Sequence, residues 1–205
     1  MHRLTVPIPD EAIRALHVGD TVYLNGIIVT GRDAAHKYMI EHFIRNEPTD
    51  PEDIELHEKL KELLNGGVIY HCGPVVKKNE DGSWTFVAAG PTTSIREEVY
   101  EADVIRHFNL KGVIGKGGMG KNTLKACMEQ PAVYFHAIGG AATLIAQSVK
   151  EVIDVYKLDF GVPEAMWVIR VEDFPVVVTM DSHGQSIHDK VQKESEERFK
   201  ALLGV

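Results

Sequence analysis

Three times the sequence leaves a β-rich run, passes through glycine and enters a helical pattern. The junctions are Gly31-Arg32-Asp33-Ala34-Ala35-His36, Gly90-Pro91-Thr92-Thr93-Ser94-Ile95-Arg96 and Gly115-Lys116-Gly117-Gly118-Met119-Gly120-Lys121. Hairpin signals come early and strand–loop–helix units later. That order predicts an α/β chain with mixed sheets and helices layered on one side, two packed sheets plus a helical layer, rather than a doubly wound sheet. A chain of 205 residues can bury roughly 70% of its unfolded surface, so one domain over 1–205 is expected, with 187–205 as a helical tail. Hydrophobic residues at 44% and charged residues at 25% exclude a disordered, collagen-like or coiled-coil chain.

Local patterns fill in the elements. Asn25-Gly26 between TVYL and IIVT reads as a tight hairpin turn, and Asp81-Gly82 as a second one joining Val75-Val76 to Trp84–Ala88. Helices are expected over 33–45, where Ala35, Met39 and Phe43 recur every four residues, and over 52–64 behind Pro51. Ser94 with Glu97 has the form of a capping box opening a helix. Strands are expected at 68–71, 111–115, 132–136 and 165–180, and helices at 121–128, 141–150 and 187–203.

The three glycine junctions also carry the candidate chemistry. Free amides at a helix start attract anions. Arg32, Arg96 and Lys116 add positive charge to a chain of net charge −8, and arginine grips a carboxylate through two parallel hydrogen bonds. A small dicarboxylate or a phosphate is the ligand class this suggests. A solvated Lys116, a surface Arg32 and Thr92–Ser94 as simple caps are the bland alternatives.

Other motifs point less far. Gly115–Lys121 spells GxxxxGK, but Asn122 stands where a phosphate loop needs Ser or Thr for magnesium; a nucleotide-binding protein is the runner-up. Asp181-Ser182-His183 holds triad residue types without a nucleophile elbow. His36 and His42 read as helix-surface or partly buried residues, and the ten His show no paired metal spacing. Cys72 and Cys127 are the only cysteines, so no disulfide framework is needed and a reducing cytoplasm fits. Two thiols are too few for a conventional iron–sulfur cluster. Net acidity disfavours nucleic acid as a partner. No signal peptide is read in MHRLTVPIPDEAI, and no membrane span anywhere.

LNGIIVTGRDAAH, AGPTTSIRE, GKGGMG, HAIGGAATLIAQ and VEDFPVVVTMDSHG, in this order, resemble the β subunit of class I iron–sulfur fumarate hydratases and L-tartrate dehydratases, from about residue 7 to 189. The resemblance implies a swivelling three-layer β/β/α domain. It implies a hydro-lyase interconverting fumarate and L-malate, or acting on tartrate or a methylated analogue, and active only with an α subunit. A 4Fe–4S cluster ligated by that α subunit, and not by this chain, would act on the substrate hydroxyl. Arg32, Arg96, Lys116 and Thr93 would bind substrate, and Thr92 would be the catalytic base, a role that needs activation because a free hydroxyl is a weak base. Where many relatives carry Met after GPTTxxR, this chain has Glu97, an acid expected at a helix start. A dicarboxylate-binding regulatory module is the non-enzymatic reading.

Overall fold

The computed structural model describes residues 1–204. Its strands are β1 (His2–Thr5), β2 (Thr21–Thr30), β3 (Val68–Tyr70), β4 (Val75–Lys78), β5 (Trp84–Ala88), β6 (Gly112–Gly115), β7 (Val133–His136), β8 (Val149–Tyr156) and β9 (Met166–Met180). The helices are α1 (Asp10–Arg14), α2 (Asp33–Met39), α3 (Pro51–Leu64), α4 (Glu98–Phe108), α5 (Lys121–Glu129), α6 (Ala142–Ala146) and α7 (Ile187–Leu203). None is long and apolar enough to cross a membrane.

Strands β2, β3, β6 and β7 run parallel in that order. The long β9 pairs antiparallel with both β7 and β2 and so closes the set into a ring. Alternation decides what fills it. Val68, Tyr70, Ile114, Val133, Phe135, Trp167 and Ile169 point into one core inside the ring. Their neighbours Ile69, Val113, Tyr134, Met166 and Val168 point outward to a second core under the helices, as the two-residue period of a strand requires. Two β layers face each other across the first core and helices cover the second, which is the expected β/β/α layering. The β layers are one curled seven-stranded sheet rather than two separate sheets. The β4–β5 hairpin forms around Gly82 as predicted, and Trp84 and Phe86 meet Trp167 edge-on.

Helix α3 follows from its sequence: Asp50 accepts from the Glu52 amide at 2.9 Å, Pro51 opens the first turn, and Leu56, Leu60 and Leu64 bury one face. α2 continues as predicted, but its last turn, Ile40–Ile44, widens into a π-helical turn.

Three expectations fail for identifiable reasons. Asn25-Gly26 makes no hairpin; it sits inside the single strand β2 as a bulge against β9. Gly26 has φ of +105°, a Cβ there would lie 2.8 Å from the main-chain oxygen of Val6, and Asn25 Oδ1 accepts from the Asp173 amide. The helix expected to reach Lys150 stops at Ala146, and β8 follows unforeseen, its alternation hidden by two register shifts. Ser94 caps nothing: a 3₁₀ turn, Ser94–Glu97, precedes α4, and the Ser94 hydroxyl turns inward.

Candidate active site

The parallel strands β2, β3, β6 and β7 all end at one edge of the ring, the place where α/β sheets present ligand sites. The Gly90–Thr93 segment threads into that edge as extended chain before the 3₁₀ turn begins at Ser94. Pro91 bridges to Cys72, and Thr93 to Lys116. The Thr92 amide donates to the His71 carbonyl at 2.7 Å, Lys116 N to Thr92 O at 3.1 Å, and Ser94 N to Lys116 O at 3.1 Å. Backbone pairing alone therefore puts Thr92, Thr93 and Lys116 side by side.

Arg32 enters the same edge from β2. It lies against Gly73, where a Cβ would come within 2.4 Å of its Nη1, so that glycine is required for the close approach. Its guanidinium pairs with Glu164 at 3.2 Å, and Glu164 also accepts from the Ala34 amide. Arg96 reaches back to Asp33 at 2.5 Å, tying the second junction to the first. Arg32, Thr92 and Lys116 are half-buried, while Thr93 and Arg96 are exposed. All five predicted residues thus lie at one edge, a rim where both arginines are paired with carboxylates of the chain. The Thr92 hydroxyl oxygen is shielded from solvent and has no hydrogen-bond partner within the chain.

Sequence reasoning missed what lies beneath. His36 is not a helix-surface residue; it is fully buried, as are His71 and Glu101. Glu101 Oε2 stands 2.8 Å from His71 Nε2 and 3.0 Å from His36 Nε2. His71 Nδ1 meets the Ser94 hydroxyl at 2.8 Å, and Tyr134 donates to the same hydroxyl. His36 Nδ1 lies 2.9 Å from the Arg32 carbonyl. Burial alone would raise the Glu101 carboxyl, but the His36 charge and the imidazole hydrogen bonds outweigh it and hold it at about 2. For His36, burial opposes charging and the Glu101 carboxylate wins, raising it. Glu97 does not line the rim either. It turns into this interior, and burial raises its carboxyl. The signal available for His36 was its four-residue spacing from Arg32, which puts it under the helix start. His136, at the end of β7 and paired with Gly115, also reaches this edge; its Nδ1 is buried without a partner and burial lowers its pKa.

His36, His71 and Glu101 are the donor set most suited to a metal. Both Nε2 atoms already face one carboxylate oxygen at hydrogen-bonding separation, and no side of the cluster is open. The cysteines do not fit an iron–sulfur cluster. Cys72 is sealed in the inner core, with its thiol pushed up to about 12 by burial, and Cys127 is sealed in the outer core, likewise pushed up. Neither is an available thiolate.

The nucleotide reading does not survive the geometry. The start of α5 is filled by the chain's own Glu98, whose carboxylate accepts from Gly120 N (2.7 Å), Asn122 N (2.9 Å) and the Thr123 hydroxyl (2.6 Å). Gly118 packs so closely on the His188 ring that a Cβ would overlap it. Asp181-Ser182-His183 is a turn, not a triad: the Asp181 carboxylate binds the His183, Gln185 and Val18 amides.

Comparison with known proteins places the chain in a family. Residues 3–191 match the family described as Fumarase C-terminus. A protein of Geobacillus stearothermophilus, provisionally named a class I fumarate hydratase, is 52% identical over 96% of this chain and 35% of its own length. This chain therefore spans about a third of that relative. A protein of Methanocaldococcus jannaschii, provisionally named an L(+)-tartrate dehydratase subunit beta, is 45% identical over 94% of both chains. The L(+)-tartrate dehydratase subunit beta of Escherichia coli K12 is 39% identical over 95% of this chain and 90% of its own. With a family match over nearly its whole length, the chain belongs to the fumarase C-terminal family.

Proposed function

We propose that this chain is the β subunit of a hydro-lyase that reversibly hydrates fumarate to L-malate in partnership with an α subunit. What supports the reading is that Arg32, Arg96, Lys116 and Thr92 come to the same edge of the ring, the arginines paired with Glu164 and Asp33, and that the buried Thr92 hydroxyl has no partner within the chain. Dehydrating a hydroxy-dicarboxylate requires removal of a proton beside one carboxylate and departure of hydroxide from the next carbon. Arg32 and Arg96 grip the carboxylates, exchanging Glu164 and Asp33 for substrate oxygens. Lys116 and Arg96 offset the negative charge that grows on the carboxylate as its neighbouring proton leaves. Thr92 Oγ1 takes that proton in this reading only if its own proton is drawn off by a base from outside this chain, since no residue here bonds it, and Thr93 lines the entry. A 4Fe–4S cluster on the α subunit supplies Lewis acidity toward the hydroxyl. The exposure of the rim fits a site that is completed by a second chain.

The test is to purify the chain with an α subunit of the same family and to assay fumarate hydration. Activity that needs both chains supports the reading. Full activity from this chain alone, or none from the pair on any four-carbon dicarboxylate, sinks it. L-tartrate dehydration is the second reading, favoured because the two relatives that this chain spans almost entirely carry that name; the ratio of kcat/KM for the two substrates separates them.

A further inference from the structure

Beneath the rim, the buried His36–Glu101–His71 cluster has a proton arrangement that its neighbours dictate. His36 Nδ1 lies 2.9 Å from the Arg32 carbonyl, and its Nε2 lies 3.0 Å from Glu101 Oε2 as an ion-pair contact that is not aligned as a hydrogen bond. Both facing oxygens are acceptors, which an imidazolium with a proton on each nitrogen matches. Its charge cancels that of Glu101. Tyr134 donates to Ser94, so the Ser94 proton turns to His71 Nδ1, and His71 is neutral with its proton on Nε2, aimed at Glu101. The remaining titratable groups facing the cluster are Glu97 beside α4, Asp33 of α2, Cys127 of α5 and Tyr134 of β7.

A buried ion pair of this kind contributes little net stability, because desolvation offsets the attraction. What it does fix is distance. One arm runs from Glu101 through His36 to the Arg32 carbonyl. The other runs through His71 to Ser94, the middle of the Thr92–Arg96 segment, and the His71 carbonyl itself holds the Thr92 amide.

We propose that Glu101, with His36 and His71, is the positioning group of the site, a strut that holds the Arg32 junction and the Thr92–Arg96 segment at the one separation that lets both arginines grip a single dicarboxylate. The role rests on the dicarboxylate reading given above. It makes Glu101 a positioning residue acting through two imidazoles, not one that touches substrate.

Glu101→Gln is the test, with Leu16→Ala in the distant inner core as a destabilised control and Ser94→Ala as a milder second variant that cuts only the outer arm. In the two-chain enzyme, Glu101→Gln raises KM for the dicarboxylate by about 10-fold or more, and Ser94→Ala raises it less. Leu16→Ala loses melting temperature but keeps KM. In the chain itself, nitrogen-15 spectra show His36 doubly protonated and His71 as the neutral Nε2–H form. Glu101→Gln shifts the amides of Arg32 and Thr92–Arg96 together. Equal KM for Glu101→Gln and Leu16→Ala overturns the proposal, as does a neutral His36, or stoichiometric zinc that co-purifies with the chain and is lost in His36→Ala. Should the two-chain enzyme turn over no dicarboxylate at all, the hydro-lyase reading fails, and the coupled amide shifts alone decide whether the strut exists.

Discussion

Two glycine loops that look alike in sequence behave differently in the fold. At Gly115–Lys121 the amides leading into α5 are filled by Glu98 of the same chain. At Gly90–Arg96 the backbone is spent on pairing with its neighbours, and what is left unpaired is a side chain, the buried Thr92 hydroxyl. An anion-binding motif is therefore a statement about supply. Whether a ligand is wanted depends on whether the chain has already provided a carboxylate, and that carboxylate comes from another element. Glu98 is 22 residues from Gly120 and makes four contacts at α5; no motif spanning 115–121 could have shown it.

The sharpest way to break this contrast is to remove one cation from each loop. Arg96→Ala should cost about 2–3 kcal/mol of transition-state binding, roughly 10²-fold in kcat/KM of the two-chain enzyme. Its exposed pair with Asp33 makes little difference to folding. Lys121→Ala should leave kcat/KM nearly unchanged. Comparable losses at both positions would erase the distinction between the loops.

Glu98→Ala tests the filled loop. It leaves three amides and the Thr123 hydroxyl without their acceptor and should lower stability by about 1–3 kcal/mol in urea titrations. Thr92→Ala should move stability by no more than about 0.5 kcal/mol while depressing turnover. Reversal of that pattern would mean the Thr92 loop is the structural one.

The interior under the Thr92 loop gives a pH test. The Glu101 carboxyl is held at about 2, below its unfolded range near 4.5. Its stabilising term is present above that range and is lost as pH falls from about 4.5 toward 2. The His36 term has the opposite sense, being complete below the unfolded histidine range and lost as pH rises through its raised folded value. In Glu101→Gln, burial acts on His36 without its counter-charge, so the unfolded chain binds the extra proton and stability begins to fall as pH drops below about 6.5. Urea midpoints across pH 3–8 check this; an unchanged acid limb in the variant contradicts it.

The smallest effect concerns Glu97. Its buried Oε2 has no partner and its carboxyl is raised by desolvation. Glu97→Met should stabilise the chain by about 1 kcal/mol near pH 7. A loss instead would show Glu97 to be part of the polar cluster rather than an unsatisfied neighbour of it.

What was legible in the sequence was whatever short-range chemistry decides. α3 declares itself through Asp50, Pro51 and a leucine stripe, the β4–β5 hairpin through Asp81-Gly82, and the rim through glycine followed by cations. What escaped was decided by partners far along the chain. Asn25-Gly26 has the composition of a turn, but Val6 crossing over Gly26 and Asp173 bonding Asn25 make it a bulge. β8 lost its alternation to bulges against β9. Ser94 could have capped a helix or joined His71, and His71 lies 23 residues away. His36 is polar by type, and only the arrival of Glu101 from α4 makes its burial tolerable.

The closure of the ring by β9 carries a kinetic consequence. β2 is nearly complete by residue 30, yet its antiparallel neighbour ends at Met180. A nascent chain must keep β2 and β7 as bare edges until Met166–Met180 has been synthesised. Such non-local pairing slows folding, and naked strand margins invite association with other chains. Truncation anywhere before β9 should thus yield aggregates rather than a smaller working fragment.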